Sequence, residues 1–106
     1  MNVLIPANDS NFETYLKETG TLIVDFMSPT CQPCKQIEPG LLKIAKAYNG
    51  KIKVLKVNVN DSPKTSSRYF VRGLPTLLFI KGGSVKTQMV GAVNALQIEQ
   101  SLQKVI

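Results

Sequence analysis

An α/β fold, built on a strand–helix–strand unit and completed by a hairpin, is what this sequence predicts, on three observations. Thr21-Leu-Ile-Val-Asp-Phe-Met27 is a short apolar, β-branched run bounded by turn residues, the pattern of a strand buried on both faces. A stretch of helical periodicity and a second β-branched run follow it with short joints, which is the layout of two parallel strands and their crossover helix. Further on, Gly82-Gly83 separates two strand-like segments, a hairpin signal.

The elements follow in chain order. Ser10-Asn11-Phe12-Glu13 has the form of a capping box, and Phe12, Tyr15 and Leu16 recur at helical spacing before Gly20, so a helix is expected over about 10–19. After the strand at 21–27, Ile37, Leu41, Ile44, Ala45 and Tyr48 repeat on one helical face and mark a helix over about 32–48, stopped by Asn49-Gly50. Pro39 is expected to kink it. Lys51 to Val59 is the second strand. Ser62-Pro63 opens a short helix through about Phe70, with proline at its first position. Thr76–Lys81 and Ser84–Val90 flank the glycine pair, and Asn94-Ala-Leu-Gln97 caps a last helix carrying Leu96, Ile98, Leu102 and Val105.

With 106 residues, 43% of them hydrophobic and 19% charged, the chain reads as one globular domain spanning 1–106 with no internal repeat or linker. The opening Met1-Asn2-Val3-Leu4-Ile5-Pro6 has no basic leader and too short an apolar run for a signal peptide, and no apolar stretch approaches the ~20 residues of a membrane helix. The expectation is therefore a cytoplasmic protein that does not engage a membrane. Net charge is +6, with residues 62–106 holding six Lys or Arg against Glu99 alone. These cations are scattered and no aromatic-and-basic signature interleaves them, so nucleic acid is not an expected partner, whereas acidic protein surfaces are favoured by long-range attraction.

Cys31 and Cys34 are the only cysteines, in Ser28-Pro29-Thr30-Cys31-Gln32-Pro33-Cys34-Lys35, and the chain has no histidine. Such a pair serves as half a metal site, a structural clip or a redox couple. Structural zinc takes four ligands, and two cysteines without histidine supply half of them, so no metal is expected. In a reducing compartment a lone cysteine pair points to catalysis or metal binding before a structural bridge.

Together, Val24-Asp25-Phe26 before the pair, Cys31-Gln32-Pro33-Cys34-Lys35 opening a helix, Lys56-Val-Asn-Val-Asn60 on the next strand, Gly73-Leu-Pro-Thr-Leu-Leu-Phe-Ile-Lys-Gly-Gly83 and Gly91 ahead of the final helix resemble the thioredoxin family from end to end. The resemblance implies a thioredoxin fold, a mixed central sheet of about five strands with helices on both faces. It also implies a protein disulfide reductase that needs no bound cofactor, acts on protein disulfide substrates as a monomer, and is recharged by a thioredoxin reductase. The runner-up activities are disulfide isomerase or oxidase, or a redox-inactive binding module. The chain departs from the family's usual Trp-Cys-Gly-Pro-Cys: Thr30 and Met27 stand where tryptophans are usual, Gln32 replaces the glycine, and Asn60 stands where aspartate is common.

The chemistry fits the residue types. Disulfide exchange needs a thiolate, and a helix N-terminus, where Cys31 is expected, stabilises an anion through unpaired N–H groups and the dipole. Cys34, one turn on and on the same side, is placed to resolve the mixed disulfide that Cys31 forms. Pro33 suits the first turn, where its missing N–H costs little.

Asp25 interrupts an apolar strand and is either an acid at an exposed strand end or a buried carboxyl; Lys56, alternating with Ile52 and Val54, is either an edge lysine or part of the same site. The resemblance places the acid behind the cysteines, exchanging protons with the second one, with the lysine near it. By the same resemblance Pro75 is cis and sets the backbone of Leu74 beside Cys31 as an edge for an extended substrate. Thr30, Gln32, Pro33, Gly73 and Gly91 then complete the substrate-contact surface.

Overall fold

The structure, a computed structural model, describes residues 3–18 and 20–106. The reading of Met1-Asn2 as part of a leaderless start, and of Thr19 as a helix end, lies outside the described residues. The elements are β1 (Leu4–Ala7), α1 (Phe12–Lys17), β2 (Thr21–Met27), α2 (Gln32–Ala47), β3 (Ile52–Asn58), α3 (Pro63–Arg68), β4 (Thr76–Lys81), β5 (Ser84–Val90) and α4 (Ala95–Val105). They form one five-stranded sheet in the order β1-β3-β2-β4-β5. β1 and β2 run parallel to β3, while β4 is antiparallel to β2 and to β5. The fold is that of thioredoxin, as the resemblance implied.

Strand alternation sorts the apolar residues into two cores. Ile23, Val54, Leu77 and Phe79 face α2 and α4 and pack with Ile37, Leu41, Ile98 and Leu102. Leu22, Val24, Phe26, Leu55, Val57, Leu78 and Ile80 face the opposite way and pack with Phe12 and Leu16 of α1 and with Tyr69. With both faces covered, β2 is buried along nearly its whole length, which is why its sequence reads as a continuous apolar run.

Local chemistry explains the boundaries and the departures from expectation. Gly82 and Gly83 both take positive φ, at 60° and 81°, as a two-residue hairpin of primed type requires. Asn94 and Gln97 form a reciprocal capping box at α4. The corresponding box expected at Ser10 does not form: α1 begins only at Phe12 with Asn11 at the N-cap position, and Ser10 Oγ donates to Asn8 Oδ1 at 2.6 Å. α3 ends at Arg68 rather than near Phe70, whose φ of 55° is incompatible with a helix. Pro39 lies inside α2 without ending it. β1 is the element with no counterpart in the residue pattern, and its Pro6 is tolerated because β1 is an edge strand paired on one side only.

Asp9 ties the segment between β1 and α1 to α3. Its Oδ1 accepts from the Thr65 N–H at 2.8 Å and the Thr65 hydroxyl at 2.7 Å, and its Oδ2 from the Lys64 N–H at 3.1 Å. It thereby caps the N-terminus of α3 from 55 residues away, where Ser62 makes no side-chain cap.

Candidate active site

β2 and α2 build the site. After β2 ends at Met27 the chain turns through Ser28-Pro29-Thr30, and Cys31 is the N-cap of α2 in extended conformation. Its Sγ accepts from the N–H of Cys34 at 3.2 Å, one of the N–H groups that a helix start leaves without a backbone partner. Cys31 and Cys34 form a disulfide with Cα atoms 5.3 Å apart. Cys31 is half-buried, whereas Cys34, inside the first turn, is 3% exposed. Pro33 falls in the first turn, and Thr30, Gln32 and Pro33 are all exposed around the sulfurs.

The loop before β4 reaches the same end of the sheet, since Thr76 pairs with Phe26 in the antiparallel register. The Leu74–Pro75 peptide is cis. Thr76 Oγ1 donates to Gly73 O at 2.6 Å, and the Gly91 N–H donates to Pro75 O at 2.9 Å. A methyl group built on Gly73 would meet Val90 Cγ1 at 3.1 Å, so segments 73–76 and 90–91 are in close apposition. Gly91 has φ of 100°, a conformation L side chains rarely adopt. Gly73, Pro75 and Gly91 are thus brought together as one hydrogen-bonded patch.

Behind the disulfide lies a cavity of about 280 Å³ lined by Asp25, Met27, Ser28, Pro29, Cys34, Lys35, Glu38 and Lys56. It unites Asp25, Lys56 and Cys34, three residues singled out from sequence. Asp25 stands in the α2-facing row of β2, 2% exposed, and its Oδ1 has no hydrogen-bond partner among the described residues. Burial pushes its carboxyl up from 3.8 to about 7; the positive charge of Lys56 works against that and the negative charge of Glu38 adds to it. Asp25 is therefore the buried acid, not one at an exposed strand end.

Lys56 is opposite Asp25 in the parallel register, but its ammonium pairs with Glu38 Oε1 at 3.0 Å. Glu38 is the member of this cluster that sequence reasoning missed. The signal was its position four residues after Cys34, which puts it on the cysteine's side of the helix. Among the described residues, no three His, Cys, Asp or Glu side chains gather to hold a metal ion, and no helix is long and apolar enough to cross a membrane.

A disulfide between an N-cap cysteine and a buried one a turn later, backed by a buried acid with a pKa near neutrality, defines a thiol–disulfide oxidoreductase centre. Comparison with known proteins gives the family: residues 3–104 match the Thioredoxin family, and the chain belongs to it. It is 43% identical over 98 residues to thioredoxin M2, chloroplastic, of Arabidopsis thaliana, covering 92% of this chain and 53% of that one. It is 38% identical to thioredoxin 1 of Nostoc sp. over 98% of both chains, and 37% identical to the M-type chloroplastic thioredoxin of Pisum sativum over 62% of the latter. The chain thus spans about half the length of the Arabidopsis relative and nearly all of the Nostoc one.

Proposed function

We propose that this protein reduces disulfide bonds in other proteins, using the Cys31/Cys34 dithiol and a mixed-disulfide intermediate. The observation that carries the reading is the asymmetry of the pair, a half-buried cysteine at a helix N-terminus joined to one that is 3% exposed. The Cys31 thiolate attacks one sulfur of the substrate disulfide, forming a bond from Cys31 to the substrate and expelling the other sulfur as a thiolate. Cys34 then loses its proton, and its thiolate attacks Cys31 Sγ. The Cys31–Cys34 disulfide forms, the second substrate sulfur leaves and is protonated, and two electrons have passed to the substrate.

Within this reading Asp25 takes the proton from Cys34, directly or through a water in the cavity, and Lys56 moderates the acid by favouring its carboxylate. Thr30, Gln32, Pro33, Gly73, Leu74, Pro75 and Gly91 form the contact surface, on which the backbone of Leu74 pairs with an extended substrate segment. The single 1–106 domain works as a monomer in the cytoplasm, with a thioredoxin reductase returning it to the dithiol, and without cofactor, nucleic acid or membrane. The reducing compartment is supported by a cysteine complement of two, both in the redox pair.

The test is catalysed reduction of a disulfide-bonded protein substrate, first with dithiothreitol and then with NADPH and a thioredoxin reductase. Turnover with both supports the full reading. Turnover with dithiothreitol alone keeps the chemistry and rejects that electron donor, and no acceleration with either rejects the function.

A further inference from the structure

The cavity behind the disulfide holds a carboxylate to which the thiol chemistry gives no task. Glu38 of α2 accepts from Lys56 Nζ at 3.0 Å, and Lys56 is the residue that β3 places opposite Asp25. The cation opposite the buried acid is thus engaged elsewhere, although Asp25 is the group in greater need of it: the Glu38 side chain is 40% exposed and has solvent available, while Asp25 Oδ1 is buried and has no hydrogen-bond partner among the described residues. The groups facing the cavity are Lys56 from β3 and Cys34, Lys35 and Glu38 from α2. β4 presents Leu77 opposite Asp25 and adds no charge there.

One ammonium at hydrogen-bond range neutralises one carboxylate well, and a second carboxylate competes for it. The geometry points to Glu38 as a positioning residue: by binding Lys56 Nζ it withholds from Asp25 the cation that β3 sets opposite it, and so sets the pH at which Asp25 takes up and releases its proton. This deepens the proposed function and rests on it only for the consequence that this proton is the one Cys34 gives up. Glu38 acts in two ways of the same sign, since its own negative charge also disfavours the Asp25 carboxylate.

The experiment follows the Asp25 carboxyl carbon by NMR as a function of pH in the disulfide form, in which neither cysteine titrates, with Asp25→Asn used to assign the signal. Glu38→Gln keeps the shape and removes the charge, leaving Lys56 able to swing to Asp25. The titration midpoint is expected to fall by about one pH unit, the low end of what an adjacent opposite charge does to a carboxyl. Lys56→Met alone should raise it. In the Lys56→Met background, Glu38→Gln should have less than half its effect on the parent. An unchanged or raised midpoint in Glu38→Gln, or an undiminished shift in the Lys56→Met background, would overturn the assignment. Because this titration needs no turnover, it stands or falls separately from the reductase assay. The pH profile of mixed-disulfide resolution, measured on the same variants, then tells whether Asp25 serves Cys34.

Discussion

The backbone N–H of Cys34 is directed at the sulfur of Cys31, 3.2 Å away, so one cysteine of the pair supplies an anion-stabilising donor to the other. The relationship is one-way: Cys31 is the helix N-cap, and Cys34 lies inside the first turn, 3% exposed. On reduction the same N–H faces a thiol that gains most from it as a thiolate. Alkylation of the reduced protein near neutral pH should therefore modify Cys31 well before Cys34. Cys31→Ser should abolish disulfide reduction, and Cys34→Ser should accumulate substrate covalently bound through Cys31. Peptide mass mapping decides, and faster labelling of Cys34 would reverse the assigned roles.

The patch around Pro75 gives a contrast between two glycines. Gly91 has φ of 100° and nothing within 4 Å of an added methyl group, so Gly91→Ala suffers from backbone conformation alone, by about 1–2 kcal/mol. Gly73 lies outside the positive-φ region, and its added methyl would press on the Val90 side chain, which is itself exposed and able to move. Gly73→Ala should cost less. Denaturant unfolding of the two oxidised variants compares them, and an equal or larger loss for Gly73→Ala would contradict the account. Gly91→Ala should also raise KM for a protein substrate more than it lowers kcat, because relief of the strained φ would shift the backbone N–H that holds Pro75 O at 2.9 Å.

Asp9 supplies the third expectation. Three hydrogen bonds from Lys64 and Thr65 converge on its carboxylate, and Ser62 offers α3 no side-chain cap in its place. Asp9→Ala should lower the denaturation midpoint, whereas Ser62→Ala should leave the start of α3 capped. Circular dichroism during urea unfolding measures both. If Asp9→Ala unfolds at the parent's midpoint, the cap contributes nothing to stability.

Much of this molecule was legible because its signals are local. The β2 run, the helical face of α2, the glycine-pair hairpin and the Asn94 box each depend on residues within a few positions of one another, and each forms where the pattern puts it. What was not legible depends on distant partners. β1 is four residues with a proline in the middle, and only pairing with β3 makes it a strand. Ser10 looks like a cap, but α1 starts at Phe12 with Asn11 at the N-cap position. At the site, the cysteines and Asp25 stand out by type and by interruption of an apolar run, but Glu38 looks like any solvated helix acid. Its task appears only once β3 has set Lys56 beneath α2.

The last expectation turns the burial of Asp25 into a pH dependence. With a folded pKa of about 7 against an ordinary 3.8, the folded protein holds a proton that the unfolded chain has released between those values. Stability therefore falls as pH rises from about 4 to about 7 and is flat beyond, the reverse of a salt-bridged acid. The gap of roughly three pH units sets a ceiling of about 4 kcal/mol on the loss at pH 8, at about 1.36 kcal/mol for each unit. Asp25→Asn removes the cost of ionising a buried carboxyl, so at pH 8 the oxidised variant should be more stable than the parent by about 2–4 kcal/mol, with the difference shrinking toward pH 4. It should also be the poorer enzyme. No histidine is present to accept the Cys34 proton, so stopped-flow decay of a mixed disulfide at pH 7 should slow by about 10²-fold, the low end for a positioned acid–base group. At higher pH the gap should close as Cys34 ionises unaided. A stability difference that is the same at pH 4 and pH 8 would mean that Asp25 does not titrate in this window. A variant that resolves as fast as the parent would reduce Asp25 to a structural acid.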